Sequence, residues 1–98
     1  MLPSKQKKAY VDFYNSARSN EILEPKVTLM IHLASSMALS CYPWMEHYLG
    51  VARAQGISED EIGAVQSIVM AVSAGKINAQ LLEVENRQKA MKIEHSCG

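Results

Sequence analysis

Gln55-Gly56-Ile57-Ser58-Glu59-Asp60-Glu61-Ile62 is the stretch on which the reading of this chain turns. Gly56 suits the left-handed position just past a helix C-terminus, and Ser58 with Glu61 three residues on makes a capping box for the next helix. A helix-turn-helix junction is thus written into eight residues. Upstream, Pro43 disfavours helical backbone at Tyr42 and suits a first helical turn, so Ser40-Cys41-Tyr42 reads as a turn and Trp44 to Gln55 as a helix. Further back, Pro25 opens a helix running to about Leu39, apolar at Val27, Met30, Ile31, Leu33, Ala34, Met37 and Ala38. Apolar nearly all round, it is expected to be buried. Ser19 to Glu24 connects it to a first amphipathic helix, Lys5 to Arg18, carrying Ala9, Tyr10, Phe13, Tyr14 and Ala17.

Downstream of the capping box, Ile62, Val65, Ile68, Val69 and Val72 form one stripe from Glu59 to about Ala74, and Gly75 is expected to end or bend that helix. Ile77, Leu81, Val84 and Met91 make a weaker, charged pattern to Ile93, a fifth helix expected to fray or to pack on another subunit. The expectation is one all-α domain over residues 1–98, a small bundle of about five helices. The second and fourth helices present more apolar face than the others can cover, which predicts a homo-oligomer.

Composition narrows the function. The 98 residues are 48% hydrophobic and 20% charged, with ten Lys+Arg balancing ten Asp+Glu. A pI near 6.8 lacks the positive footprint of a nucleic-acid binder, so no nucleic-acid partner is expected. Two cysteines, Cys41 and Cys97, do not make a disulfide scaffold, and a reducing, cytoplasmic setting is expected. Val27 to Met45 lacks Asp, Glu, Lys and Arg, but His32, three serines and Pro43 interrupt it, so no membrane span is expected there. Lys5, Lys7, Lys8 and Asp12 are followed by no apolar core of the signal-peptide kind.

The chemistry gathers at Ser40-Cys41-Tyr42-Pro43-Trp44. A cysteine just before a helix sits at the positive end of its dipole, among free N–H groups that favour a thiolate, so Cys41 is a candidate nucleophile. It reads equally as a small buried hydrophobe. His32 and His47 lie on the helices flanking this turn, and either can reach the thiol as its base. Their plainer readings are a core histidine bonded to backbone or serine for His32 and a solvated residue for His47. Glu46 falls on another side of its helix. Cys97 in the terminal Glu94-His95-Ser96-Cys97-Gly98 is a candidate resolving thiol, or simply part of an exposed tail. His95 and Cys97 alone do not make a four-coordinate site, and no metal is expected. No Gly-rich phosphate loop or nucleophile elbow appears, and no cofactor is expected.

From Lys26 to Gly75, KVTLMIHLASSMALSCYPWMEHYLGVARAQGISEDEIGAVQSIVMAVSAG, about half the chain, the sequence resembles the carboxymuconolactone decarboxylase and alkylhydroperoxidase D family. The order of buried helix, cysteine-bearing turn, second helix, Gly, acidic cap and apolar helix is shared. The resemblance implies an all-helical fold, trimers or hexamers, and, in the alkylhydroperoxidase branch, thiol peroxidase or disulfide-reductase chemistry. Cys41 falls on the first cysteine of the family's Cys-x-x-Cys pair and Trp44 on the second. The family histidine falls on Tyr48, with His47 beside it, and the family glutamate falls on Leu29.

Three functions follow. The first is a thiol-based, peroxiredoxin-like redox protein with Cys41 as nucleophile, His32 and His47 as candidate bases, and an external thiol reductant or Cys97 as resolver. The second is a catalytically impaired scaffold or binding protein that keeps the fold, a reading that Trp44 favours if its ring fills the cavity. The third is decarboxylation of a carboxylated lactone, for which Lys26 and Arg53 are the nearest cations in sequence.

Overall fold

In the computed structural model, which describes residues 1–97 and side chains through Lys92, the chain is all-helical. Four helices follow in order: α1 (Ser4–Arg18), α2 (Pro25–Ala38), α3 (Tyr42–Ala54) and α4 (Glu59–Cys97). The small helical bundle expected from sequence is present, but its fourth and fifth helices are one. Gly75 does not end α4. A lone glycine in a helix interior costs about 1 kcal/mol against alanine, too little to break a run continued by Ala71, Val72, Ala74 and Lys76.

Local chemistry explains each boundary. Pro25 sits in the first turn of α2 and Pro43 in that of α3, where a missing N–H costs nothing. At the end of α3, Gly56 has φ +81°; its N–H donates to Arg53 O at 3.1 Å and that of Ile57 to Ala52 O at 3.0 Å. This is a Schellman closure, and buried Ile57 supplies its apolar contact. The capping box forms as read: Glu61 N donates to Ser58 Oγ at 3.1 Å, and Ser58 N to Glu61 Oε1 at 3.2 Å. Between α1 and α2, Asn20 holds the connector, accepting from Ile22 N and Leu23 N and donating to Thr28 Oγ1.

The core is small: Leu29 and Leu33 of α2, Tyr48 and Ala52 of α3, Ile57, and Ile62 and Val65 of α4. α2 is central, packed by α3 and α4, whereas α1 has no buried residue. The expectation of a wholly buried α2 is corrected here. It buries Thr28, Leu29, Leu33 and Ser36, while Val27 and Ile31 stay 40% and 48% exposed. One chain has too few elements to cover a helix on all sides.

From Ala71 to Lys92 every side chain is exposed. The radius of gyration of 20.3 Å far exceeds the ~13 Å of a compact domain near 100 residues, because α4 runs beyond the bundle. Within Glu59–Lys92, α4 is also long and apolar enough, by length and composition, to cross a membrane.

Candidate functional site

The turn between α2 and α3 is built by Ser40, the one described non-glycine residue with positive φ, at 53°. Its N–H donates to Met37 O at 3.1 Å, and the Cys41 N–H donates to Ser36 O at 3.0 Å. The closure matches that of Gly56, with serine in the left-handed place. Cys41 therefore ends α2 and begins α3: it is the N-cap residue, and its carbonyl accepts from Met45 N at 2.9 Å. The thiol is half-buried and makes no disulfide.

Cys41 lines a cavity of about 140 Å³ with Tyr14, His32, Ser35, Trp44 and Tyr48. The aromatic wall is layered. Tyr48 stacks with His32 at 4.8 Å between ring centroids and 17° between planes, and with Trp44 at 5.5 Å and 18°. Tyr14 reaches in from α1, stacks on Trp44 at 5.3 Å and hydrogen-bonds through its hydroxyl to that of Tyr48. Burial, with that bond second, pushes the Tyr48 phenol well above its ordinary range. Tyr48 is thus a fixed neutral wall.

Through His32 this cavity adjoins a second one of about 310 Å³, lined by Arg18, Thr28, His32, His47, Tyr48 and Gln55 among others. No Asp or Glu lines it. Among the described residues Arg18 enters no ion pair. Burial first, and the Arg18 charge second, hold the His32 imidazole below its ordinary value. His32 is therefore neutral at pH 7 and able to accept a proton.

The candidates from sequence separate accordingly. His32 shares the cavity of Cys41. His47 is exposed, lies edge-on to Trp44 and Tyr48, and lines the Arg18 cavity instead. Glu46 is exposed and lines neither. The Cys97 and His95 side chains lie outside the described residues. Trp44 is part of the cavity wall, 38% exposed, and the turn keeps its closure beside it. Arg18 escaped the sequence reading, and Tyr14 entered it only as part of the apolar face of the first helix. Both come from α1, distant in sequence from the Cys41 turn, and no local spacing announces them. Of the cations named from sequence, Arg53 is tied to Glu59 and Lys26 to Glu61. Among the described residues no three His, Cys, Asp or Glu side chains are grouped to hold a metal.

No curated protein matches the chain. Among solved structures, a protein from Methanobacterium thermoautotrophicum has a similar fold, with a TM-score of 0.77 and 23% identity over 85% of this chain and 94% of that one. The model of the carboxymuconolactone decarboxylase family matches residues 6–85, from α1 through most of α4 and across both cavities, and the chain belongs to that family.

Proposed function

We propose that the protein is a thiol-based redox protein of the alkylhydroperoxidase type, assembled as a homo-oligomer, in which Cys41 is the nucleophile and His32 its base. The observation that carries this reading is that a half-buried thiol at a helix N-cap and an imidazole held neutral line one cavity. His32 takes the thiol proton, and the thiolate attacks the terminal peroxide oxygen. The O–O bond breaks, a sulfenic acid forms on Cys41, and the alkoxide leaves as alcohol with the proton from His32. A reductant dithiol then condenses with the sulfenic acid, releasing water, and its second thiol frees Cys41 by exchange. Trp44 in place of a vicinal cysteine requires the resolving thiol to come from that reductant or from Cys97. His47 lines the neighbouring cavity and not that of Cys41.

The test is intact-mass spectrometry through a hydrogen peroxide titration of wild type, Cys41→Ser and Cys97→Ser. Oxidation of Cys41 at low peroxide, reversed by a dithiol, supports the reading. A thiol that persists while methionines oxidise overturns it and leaves a binding protein on the family fold.

One observation favours the lactone decarboxylase reading as a second. Arg18, distant in sequence from the Cys41 turn, is brought beside His32 and His47 in a cavity with no acidic lining. A guanidinium there supplies the carboxylate anchor that the sequence order did not show. Loss of carbon dioxide release from such a lactone in Arg18→Gln, with peroxide reactivity retained, would separate the two.

A further inference from the structure

The cavity that holds Arg18 is larger than that of Cys41, about 310 Å³ against about 140 Å³, and His32 and Tyr48 line both. Its polar lining consists of groups that can donate, with one guanidinium and no acid. Arg18 is exposed and Thr28 buried, and His47 and Gln55 join them. Among the described residues, none of Arg18, His32, His47 and Gln55 enters a hydrogen bond through its side chain. The Thr28 hydroxyl accepts from Asn20 at 3.1 Å and keeps its own proton to give. Leu29 and Val51 add apolar surface beside these groups. The Cys41 cavity, by contrast, is walled by the rings of Tyr14, His32, Trp44 and Tyr48 and has no lysine or arginine.

We infer that the Arg18 cavity is a carboxylate subsite of the thiol centre, so that the substrate of Cys41 is a small organic hydroperoxide carrying a carboxylate at its other end. The inference rests on the redox reading above and names its substrate class. The guanidinium takes the carboxylate as a bidentate pair, and the Thr28 hydroxyl adds a donor. A short aliphatic chain lies along Leu29 and Val51, passes His32 and Tyr48, and brings the peroxide group to Cys41. The terminal peroxide oxygen then passes to the sulfur as the O–O bond breaks. The remainder takes the proton from His32 and leaves as a hydroxy acid, its carboxylate unchanged, and the reductant dithiol restores the thiol.

Charge and size favour this occupant over others. A phosphate ester carries close to two charges at neutral pH, whereas the cavity offers one permanent cation. A cationic ligand meets Arg18 with no acid to offset it. An uncharged hydroperoxide fits the small aromatic cavity alone and leaves the donors of the larger one without a partner. Arg18 is exposed, so water and salt screen it, and the preference it confers is about tenfold rather than thousands.

A matched pair of peroxides tests this: 4-hydroperoxy-4-methylpentanoate and its methyl ester, which differ at the charged end only. Single-turnover oxidation of Cys41 is quenched and read by intact mass in wild type, Arg18→Gln, Arg18→Lys and Lys8→Gln. The readout is the ratio of the two rate constants within each protein, which cancels any effect of a variant on the thiol or on His32. Wild type should favour the carboxylate about tenfold, and Arg18→Gln should bring the ratio to about one. Arg18→Lys should keep part of the preference. Lys8→Gln, which removes the same charge from the same helix, should keep all of it.

A second arm does not depend on the thiol. In Cys41→Ser, titration with the product acid, 4-hydroxy-4-methylpentanoate, should shift the imidazole signals of His32 and His47 in proton NMR, and adding Arg18→Gln should abolish the shift. A wild-type ratio near one, a preference that survives Arg18→Gln, or imidazole signals unmoved by the acid would overturn the inference and leave the redox reading standing. A Cys41 inert to both peroxides would overturn the redox reading and the inference with it.

Discussion

The backbone N–H of Cys41 donates to the carbonyl of Ser36 at 3.0 Å, tying the candidate nucleophile to a buried residue in the last turn of α2. The same residue caps α3. One hydrogen bond therefore holds the Cys41 backbone relative to both helices, and the left-handed Ser40 between them makes that bond possible.

Ser40 is exposed and holds a φ that glycine adopts without cost. Ser40→Gly should stabilise the fold by about 1 kcal/mol, and Ser40→Val should destabilise it by more than that. Urea unfolding monitored by Trp44 fluorescence reads both, and an unchanged midpoint in Ser40→Val would show that the turn does not need this conformation.

Gly75 lies inside α4, and a Cβ built there meets nothing within 4 Å. Gly75→Ala should raise stability by about 0.5–1 kcal/mol through helix propensity alone. Thermal unfolding by circular dichroism measures it. A loss of helix content in the variant would mean that Gly75 is needed for a bend.

Tyr14 and Tyr48 join α1 to the core through their hydroxyls. Tyr14→Phe leaves the buried Tyr48 hydroxyl without its partner and should cost about 1–3 kcal/mol. The double change Tyr14→Phe, Tyr48→Phe should cost less than the two single changes summed. Chemical denaturation of all four proteins gives the coupling, and strict additivity would refute the bond.

His32 is held below its ordinary value by burial and then by Arg18. Below its unfolded value of about 6.5 the unfolded chain binds a proton that the folded chain does not. Stability should therefore be full above about pH 6.5 and fall as the pH drops toward the folded value. His32→Phe should flatten that slope, and Arg18→Gln should move the imidazole titration upward in proton NMR. A slope unchanged in His32→Phe would assign the acid sensitivity to another group.

The sequence by itself determined the local structure. Gly56, the Ser58–Glu61 box, Pro25 and Pro43 act within a few residues of backbone, so the starts of α2 and α4, the close of α3 and the turn holding Cys41 are legible from order alone. The same locality misread Gly75, since a weak helix breaker yields when its neighbours continue the helix. Only the tertiary structure decided that His32 rather than His47 shares the cavity of Cys41, and that Arg18 and Tyr14 complete the neighbouring walls. Those positions depend on how α1 crosses the α2–α3 pair, a geometry set by side-chain packing across long sequence separations, which no spacing along the chain encodes.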